Sequence, residues 1–135
     1  MTPDSATPST DRPRDSDPAP VPSTRHYVGE KTPGGACEVL VLDRNAPGGG
    51  YPLDPRFDLR RHADGLNFGY AGSGPAQLSL ALLADALGDD GRAIRSYQDF
   101  KRRVVARWEG DRFEASAEDV RRIVAGLERD RERTR

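Results

Sequence analysis

Apolar residues are sparse at the start of this chain and abundant after it. Between Met1 and Thr24 the only sizeable apolar residue after Met1 is Val21, in a background of Pro, Ser, Thr and Asp. Such a stretch cannot bury enough surface to offset its ordering entropy, so residues 1–24 read as a disordered tail. From Arg25 the pattern alternates. Tyr27 and Val28 start a short strand, Thr32-Pro33-Gly34-Gly35 supplies turn residues, and Cys37 to Asp43 returns with Val39 and Val41 alternating with Leu40 and Leu42. That pattern predicts a β-hairpin. Asn45 to Gly50 forms a loop tip. Tyr51 to His62 carries Pro52 and Pro55, which interrupt a ladder, and reads as an ordered irregular segment or one helical turn pinned by Leu53, Phe57 and Leu59. Leu66 and Phe68, alternating with Asn67 and Gly69, suggest a third short strand.

The period then changes. Leu78, Leu80, Leu82, Leu83 and Leu87 spread over a wide arc at about 100° per residue, and Gln77, Ala81, Ala84 and Asp85 form the opposite stripe. Pro75 suits the first helical position, Gly74 the N-cap, Gln77 a reach back to the cap N–H, and Gly88 the closing position. A helix this apolar must be covered on most sides. Ser79, inside the arc, is expected to back-bond to the Pro75 carbonyl. Asp89-Asp90 opens a second helix with Ile94, Tyr97, Phe100, Val104 and Trp108 at helical spacing. Glu109-Gly110-Asp111 is a turn and Phe113 lies in a short extended piece. Ser116 followed by Asp119 is a capping-box pattern opening a third helix that presents Val120, Ile123, Val124 and Leu127. The expected fold is α+β: a small antiparallel sheet, hairpin plus short strand, packed on three helices around a buried leucine-rich helix. It occupies residues 25–129 as one domain, with residues 130–135 fraying.

Charge and cysteine content narrow the classes. Lys and Arg number 21 and Asp and Glu 22, a net charge of −1, so no overall bias favours nucleic acid or a membrane surface. The single Cys37 excludes an internal disulfide framework and a cysteine-based zinc site, and its strand setting reads as a buried small hydrophobe. No run has the character of a signal peptide or a membrane span, so a cytoplasmic location is expected.

Two motifs carry a resemblance. Pro52 to His62, followed by Gly72-Ser73-Gly74-Pro75-Ala76-Gln77-Leu78 and preceded by the strand motif Tyr27-Val28-Gly29, resembles a family of small prokaryotic and phage proteins of unknown function. The resemblance spans about residues 26–125. It departs from the family pattern at Ala63-Asp64 and at Phe68, where the family carries Ser-Pro and a tryptophan. The resemblance implies an extent and no activity.

Three groups are candidate sites. Gly72-Ser73-Gly74, with Gln77, could cradle an anion at a helix N-terminus, although it lacks the Gly-Lys-Ser/Thr of a P-loop; the alternative is a tight turn that starts a buried helix close to a strand. Asp54, Asp58 and His62 at four-residue spacing, with Arg60, could ligate or act as an acid–base group, against a reading as salt bridges and loop caps. Arg92, Arg95, Arg102 and Arg103, with Arg107, could meet phosphates, against a solvated face interrupted by Asp99. No motif implies a cofactor or a resident metal.

Function divides accordingly. A binding or adaptor module without catalytic activity, whose partner is another protein, requires an exposed apolar or arginine-rich patch. A nucleic-acid binder requires a continuous basic surface from Arg95 to Arg107 and Arg121. An enzyme or anion binder requires a cleft where Asp58, His62 and the glycine loop meet. The first is favoured because no recognisable catalytic set is present, and no membrane contact is expected. Deleting residues 1–24 is expected to leave the thermal transition nearly unchanged; a large drop in melting temperature would show that the tail docks.

Overall fold

A computed structural model describes residues 25–134, so the expectation for the tail lies outside the described residues. The hairpin forms as its alternation demands. Strand β1 (His26–Lys31) pairs antiparallel with β2 (Cys37–Leu42), Tyr27 opposite Val41 and Val28 opposite Leu40. The turn closes through Thr32 N–H to the Ala36 carbonyl at 2.7 Å and Gly35 N–H to the Thr32 carbonyl at 2.9 Å. Two further strands flank it: β3 (Gly50–Pro52) on the free side of β2, and β4 (Arg112–Ser116) on the free side of β1. The described sheet is antiparallel throughout, in the order β3-β2-β1-β4.

This corrects the expected third strand. Leu66 and Phe68 are buried but form no strand; Leu66 makes a single bridge, accepting from Cys37 N–H at 3.1 Å. The segment read as irregular instead contributes β3, where Pro52 is tolerated because it lies at a sheet edge that requires no further donor.

The inner face of the sheet carries Tyr27, Val39, Val41 and Phe113, all buried. Gly29, opposite Phe113, has no room for a side chain, since a Cβ there would lie 2.0 Å from Phe113 Cε2. The ring lies flat across the strand in that space. Phe113 stacks on Trp108 at 4.3 Å between ring centres and meets the edge of Phe68 at 5.1 Å.

Helix α1 (Ser73–Leu87) packs on that inner face and is buried along almost its whole length, the Ala81–Ala84 side included. It starts earlier than expected, with Gly72 as N-cap, so Pro75 falls within the first turn, where its missing N–H costs no helical bond. Gly88 closes it in the left-handed region at φ 63, its N–H reaching the Ala84 carbonyl. The Ser79 hydroxyl is fully buried and makes no hydrogen bond among the described residues, so the expected back-bond to Pro75 is not made.

Helix α2 (Asp90–Arg103) starts as expected, the Asp89 side chain accepting from Arg92 N–H at 3.1 Å. It does not continue to Trp108. The chain breaks at Val104 and makes a 3-10 turn over Val105–Arg107, which buries Val105 and frees Trp108 to stack on Phe113. Helix α3 (Ala117–Arg133) is capped by Ser116, which accepts from Asp119 N–H at 3.0 Å, and buries Val120, Val124 and Leu127. It stays helical through Arg133, past the residue 130 at which fraying is expected.

Leu82→Ala is expected to cost ~2–5 kcal/mol in urea denaturation. Ser79→Ala removes a buried hydroxyl without a partner and should be neutral or stabilising by up to ~1 kcal/mol. Destabilisation by Ser79→Ala would mean that the hydroxyl is satisfied after all.

Candidate functional site

Gln77 is fully buried and uses its whole amide. Nε2 donates to the Pro55 carbonyl at 2.7 Å and the Arg60 carbonyl at 3.0 Å, while Oε1 accepts from His62 N–H at 2.7 Å and Ala63 N–H at 3.4 Å. The expected reach back to the N-cap is therefore not made. Gln77 instead clasps the 53–63 segment onto α1, supplying hydrogen bonds to a stretch that has no ladder of its own.

The acid–base candidates on this segment have different partners. Asp54 accepts from Arg56 N–H at 2.9 Å, supporting a left-handed Arg56 at φ 60. Asp58 pairs with the Arg56 guanidinium, which also grips Asp90 at the start of α2. That guanidinium, bound first by Asp58, holds the Asp58 carboxyl below its ordinary range. His62 turns elsewhere, its Nε2 lying 2.6 Å from Tyr97 Oη. Arg60 contributes its carbonyl to Gln77 and keeps its side chain exposed. Asp54, Asp58 and His62 thus make separate local contacts. Among the described residues no three His, Cys, Asp or Glu side chains gather as metal ligands would.

Ser73 and Gly74 line a shallow cleft of about 360 Å³ with Gly34, Gly35, Asn67 and Tyr70, and Gly72 lies outside its lining. None of its lining residues is charged. The glycines are required by contact. A Cβ on Gly72 would meet the Tyr70 ring at 2.7 Å, and one on Gly74 would meet Asn67 Cβ at 2.8 Å. Gly72 itself is extended, at φ −166, so its backbone suits any residue. The loop is wrapped around Tyr70, and Ser73 is exposed beside it.

The arginines of α2 face the acids of α3. Arg92 makes a two-pronged bond to Glu128, both N–O distances 2.9 Å, and this contact holds Glu128 below its ordinary value. Arg103 pairs with Asp130, Arg102 with Asp99, and Arg131 of α3 reaches back to Asp99 and Ser96. Arg95 is exposed. Arg121 donates to the Ala86 carbonyl.

One cluster was not anticipated. Asp85 accepts from Tyr27 Oη at 2.6 Å, Tyr51 Oη at 2.8 Å and the Arg25 guanidinium at 2.9 Å; Arg25 also donates to Asp43. These residues tie β1, β3 and the chain entering the domain to the end of α1. Burial, and then the bond to Asp85, push the Tyr51 phenol up to about 12 and raise Tyr27 as well. The only trace of this cluster in the sequence is Asp85 as the lone charge in a buried helix.

Another open surface is the outer face of the sheet, which none of the described helices covers. Register places His26, Val28 and Glu30 of β1 beside Leu42, Leu40 and Glu38 of β2, with Pro52 of β3 opposite Leu40 and Arg112 and Glu114 of β4 opposite Glu30 and Val28. Leu40 is 52% and Leu42 44% exposed. A groove of about 600 Å³ runs along this face and around the edge of β2.

The model of a family of unknown function, DUF6166, matches residues 27–126. The chain belongs to this family. The DUF6166 match runs from Tyr27 in β1 to Gly126 in α3, and so takes in the sheet, α1, the Gln77 clasp and the open face. No curated protein and no solved structure matches the chain. None of the described helices is long and apolar enough to cross a membrane.

Gln77→Ala would strand two backbone carbonyls and two N–H groups and is expected to cost ~2–4 kcal/mol in chemical denaturation, whereas Ser73→Ala should be nearly silent. The Tyr51 phenol has a raised folded value, so its stabilisation is complete below about pH 10, the ordinary tyrosine value, and is lost as pH rises through about 12. Tyr51→Phe should therefore flatten the alkaline fall of melting temperature. An unchanged slope would remove the cluster as its cause.

Proposed function

We propose that this chain is a protein-binding module that engages its partner through the outer face of the sheet. The observation that carries this is the exposure of Leu40 and Leu42 on the inner strand β2, next to Val28 and Pro52, on the side away from all three helices. An antiparallel sheet with one face on water ordinarily alternates apolar-in with polar-out. Here β2 turns Val39 and Val41 inward and Leu40 and Leu42 outward beyond Glu38, and an exposed apolar patch marks an interaction surface.

The competing readings have less support. Arg92, Arg102, Arg103 and Arg131 are engaged by carboxylates, which lowers their charge toward a phosphate. The acid–base candidates are each engaged by a different partner: Asp54 by the Arg56 N–H, Asp58 by the Arg56 guanidinium and His62 by the Tyr97 hydroxyl.

The test is retention of proteins from a cell lysate by the immobilised chain and by a Leu40→Asp/Leu42→Asp variant. Aspartate in an inner strand beside Glu30 and Glu38 is expected to cost about 1 kcal/mol or more, so a Leu40→Thr/Leu42→Thr variant, which keeps strand propensity and adds no charge, is run alongside and should lose retention while melting close to the parent. Specific retention by the parent and its loss in the variant are expected. Retention unchanged in the variant, but abolished together with bound nucleic acid by Arg102→Ala/Arg103→Ala, would transfer the function to α2.

A further inference from the structure

Resting on that reading, we infer that the partner is a protein segment carrying a lysine or arginine beside apolar residues, with the cation received between Glu30 and Glu38. The groove places Val28, Leu40 and Pro52 next to Glu30, Glu38 and Arg112. Glu30 and Glu38 are directly opposite in the register of β1 and β2, where two like charges oppose pairing. The nearest cation is already divided: the Arg112 guanidinium donates to Glu30 at 2.8 Å and to Glu114 at 2.6 Å. Glu38 has no ion-pair partner among the described residues. Three carboxylates therefore stand against one guanidinium, shared by Glu30 and Glu114 and not reaching Glu38, which leaves a net two negative charges beside an apolar surface.

That combination selects a kind of partner. A lysine or arginine can lay its methylene stem on Leu40 and Val28 while its charged head reaches Glu38 and Glu30. The contact would relieve the repulsion across the β1–β2 pair and supply charge complementarity at the rim of an apolar contact. A second copy of this chain fits less well, because two such faces brought together would double the unmatched acids in one patch. Nucleic acid is repelled by the same charges.

The experiment selects peptides from a random dodecapeptide display library on the immobilised full chain, then measures a selected peptide by fluorescence anisotropy. Enrichment of Lys or Arg next to apolar residues is expected, with binding abolished by Leu40→Asp. Glu38→Lys, which pairs with Glu30 within the chain and so occupies the cation's place, should weaken that peptide about ten-fold or more. Selected peptides that need Leu40 but show no basic enrichment, or that bind Glu38→Lys unchanged, would overturn the cation and leave the open-face reading standing. Failure to recover any peptide that Leu40→Asp releases would overturn both. Sedimentation of the parent as a dimer that Leu40→Asp dissociates would assign the face to a second copy and overturn this inference.

Discussion

The structure depends on covering a helix that has no solvent side. Helix α1 is buried from Gly74 to Ala84, so neighbours must approach it from every direction. Sheet, α2 and α3 cover the leucine arc. The small stripe of Ala81 and Ala84 faces the 53–63 segment, and Leu53, Asp54 and Arg56 line a cleft of about 340 Å³ with the two alanines. The polar groups at either end of the stripe hold that cover in place: Gln77 satisfies the segment's backbone, and Asp85 collects two phenols and a guanidinium. Gln77 is fully buried and Asp85 partly so, and each offsets its lost hydration through its partners.

A second constraint acts on the sheet. Its inner face is filled by a ring that occupies a glycine's place, Phe113 over Gly29, extended into a stack by Trp108. That stack requires the chain to leave α2 at Val104, so a packing contact in the sheet ends a helix that its own apolar spacing would have continued. Among the described residues the outer face has no comparable cover, and Leu40 and Leu42 face solvent beside acids that Arg112 of β4 neutralises only in part. Core and open face are thus opposite sides of the same two strands, and a substitution at Leu40 can probe the outer one without disturbing the inner.

Sequence by itself determined the elements whose signals are local. The hairpin followed from alternation around Thr32–Gly35, α1 from its leucines and the closing Gly88, and the starts of α2 and α3 from Asp89 and Ser116, because turns, caps and periodicity depend on residues only a few positions apart. It also separated Gln77, Ala81, Ala84 and Asp85 as a distinct stripe. What covers that stripe was decided by tertiary structure, as were β3 and β4 as flanking strands and Leu66 as a single bridge, because pairing between distant segments leaves no periodic trace. The candidate sites divide in the same way. The residue types in Asp54, Asp58 and His62 are legible, but the partner each takes, the Arg56 N–H, the Arg56 guanidinium and Tyr97 of α2, is set by the folded chain. The open face was not legible at all: alternating Val and Leu in β2 is apolar on both sides, and only the placement of all three helices on one of them leaves Leu40 and Leu42 exposed.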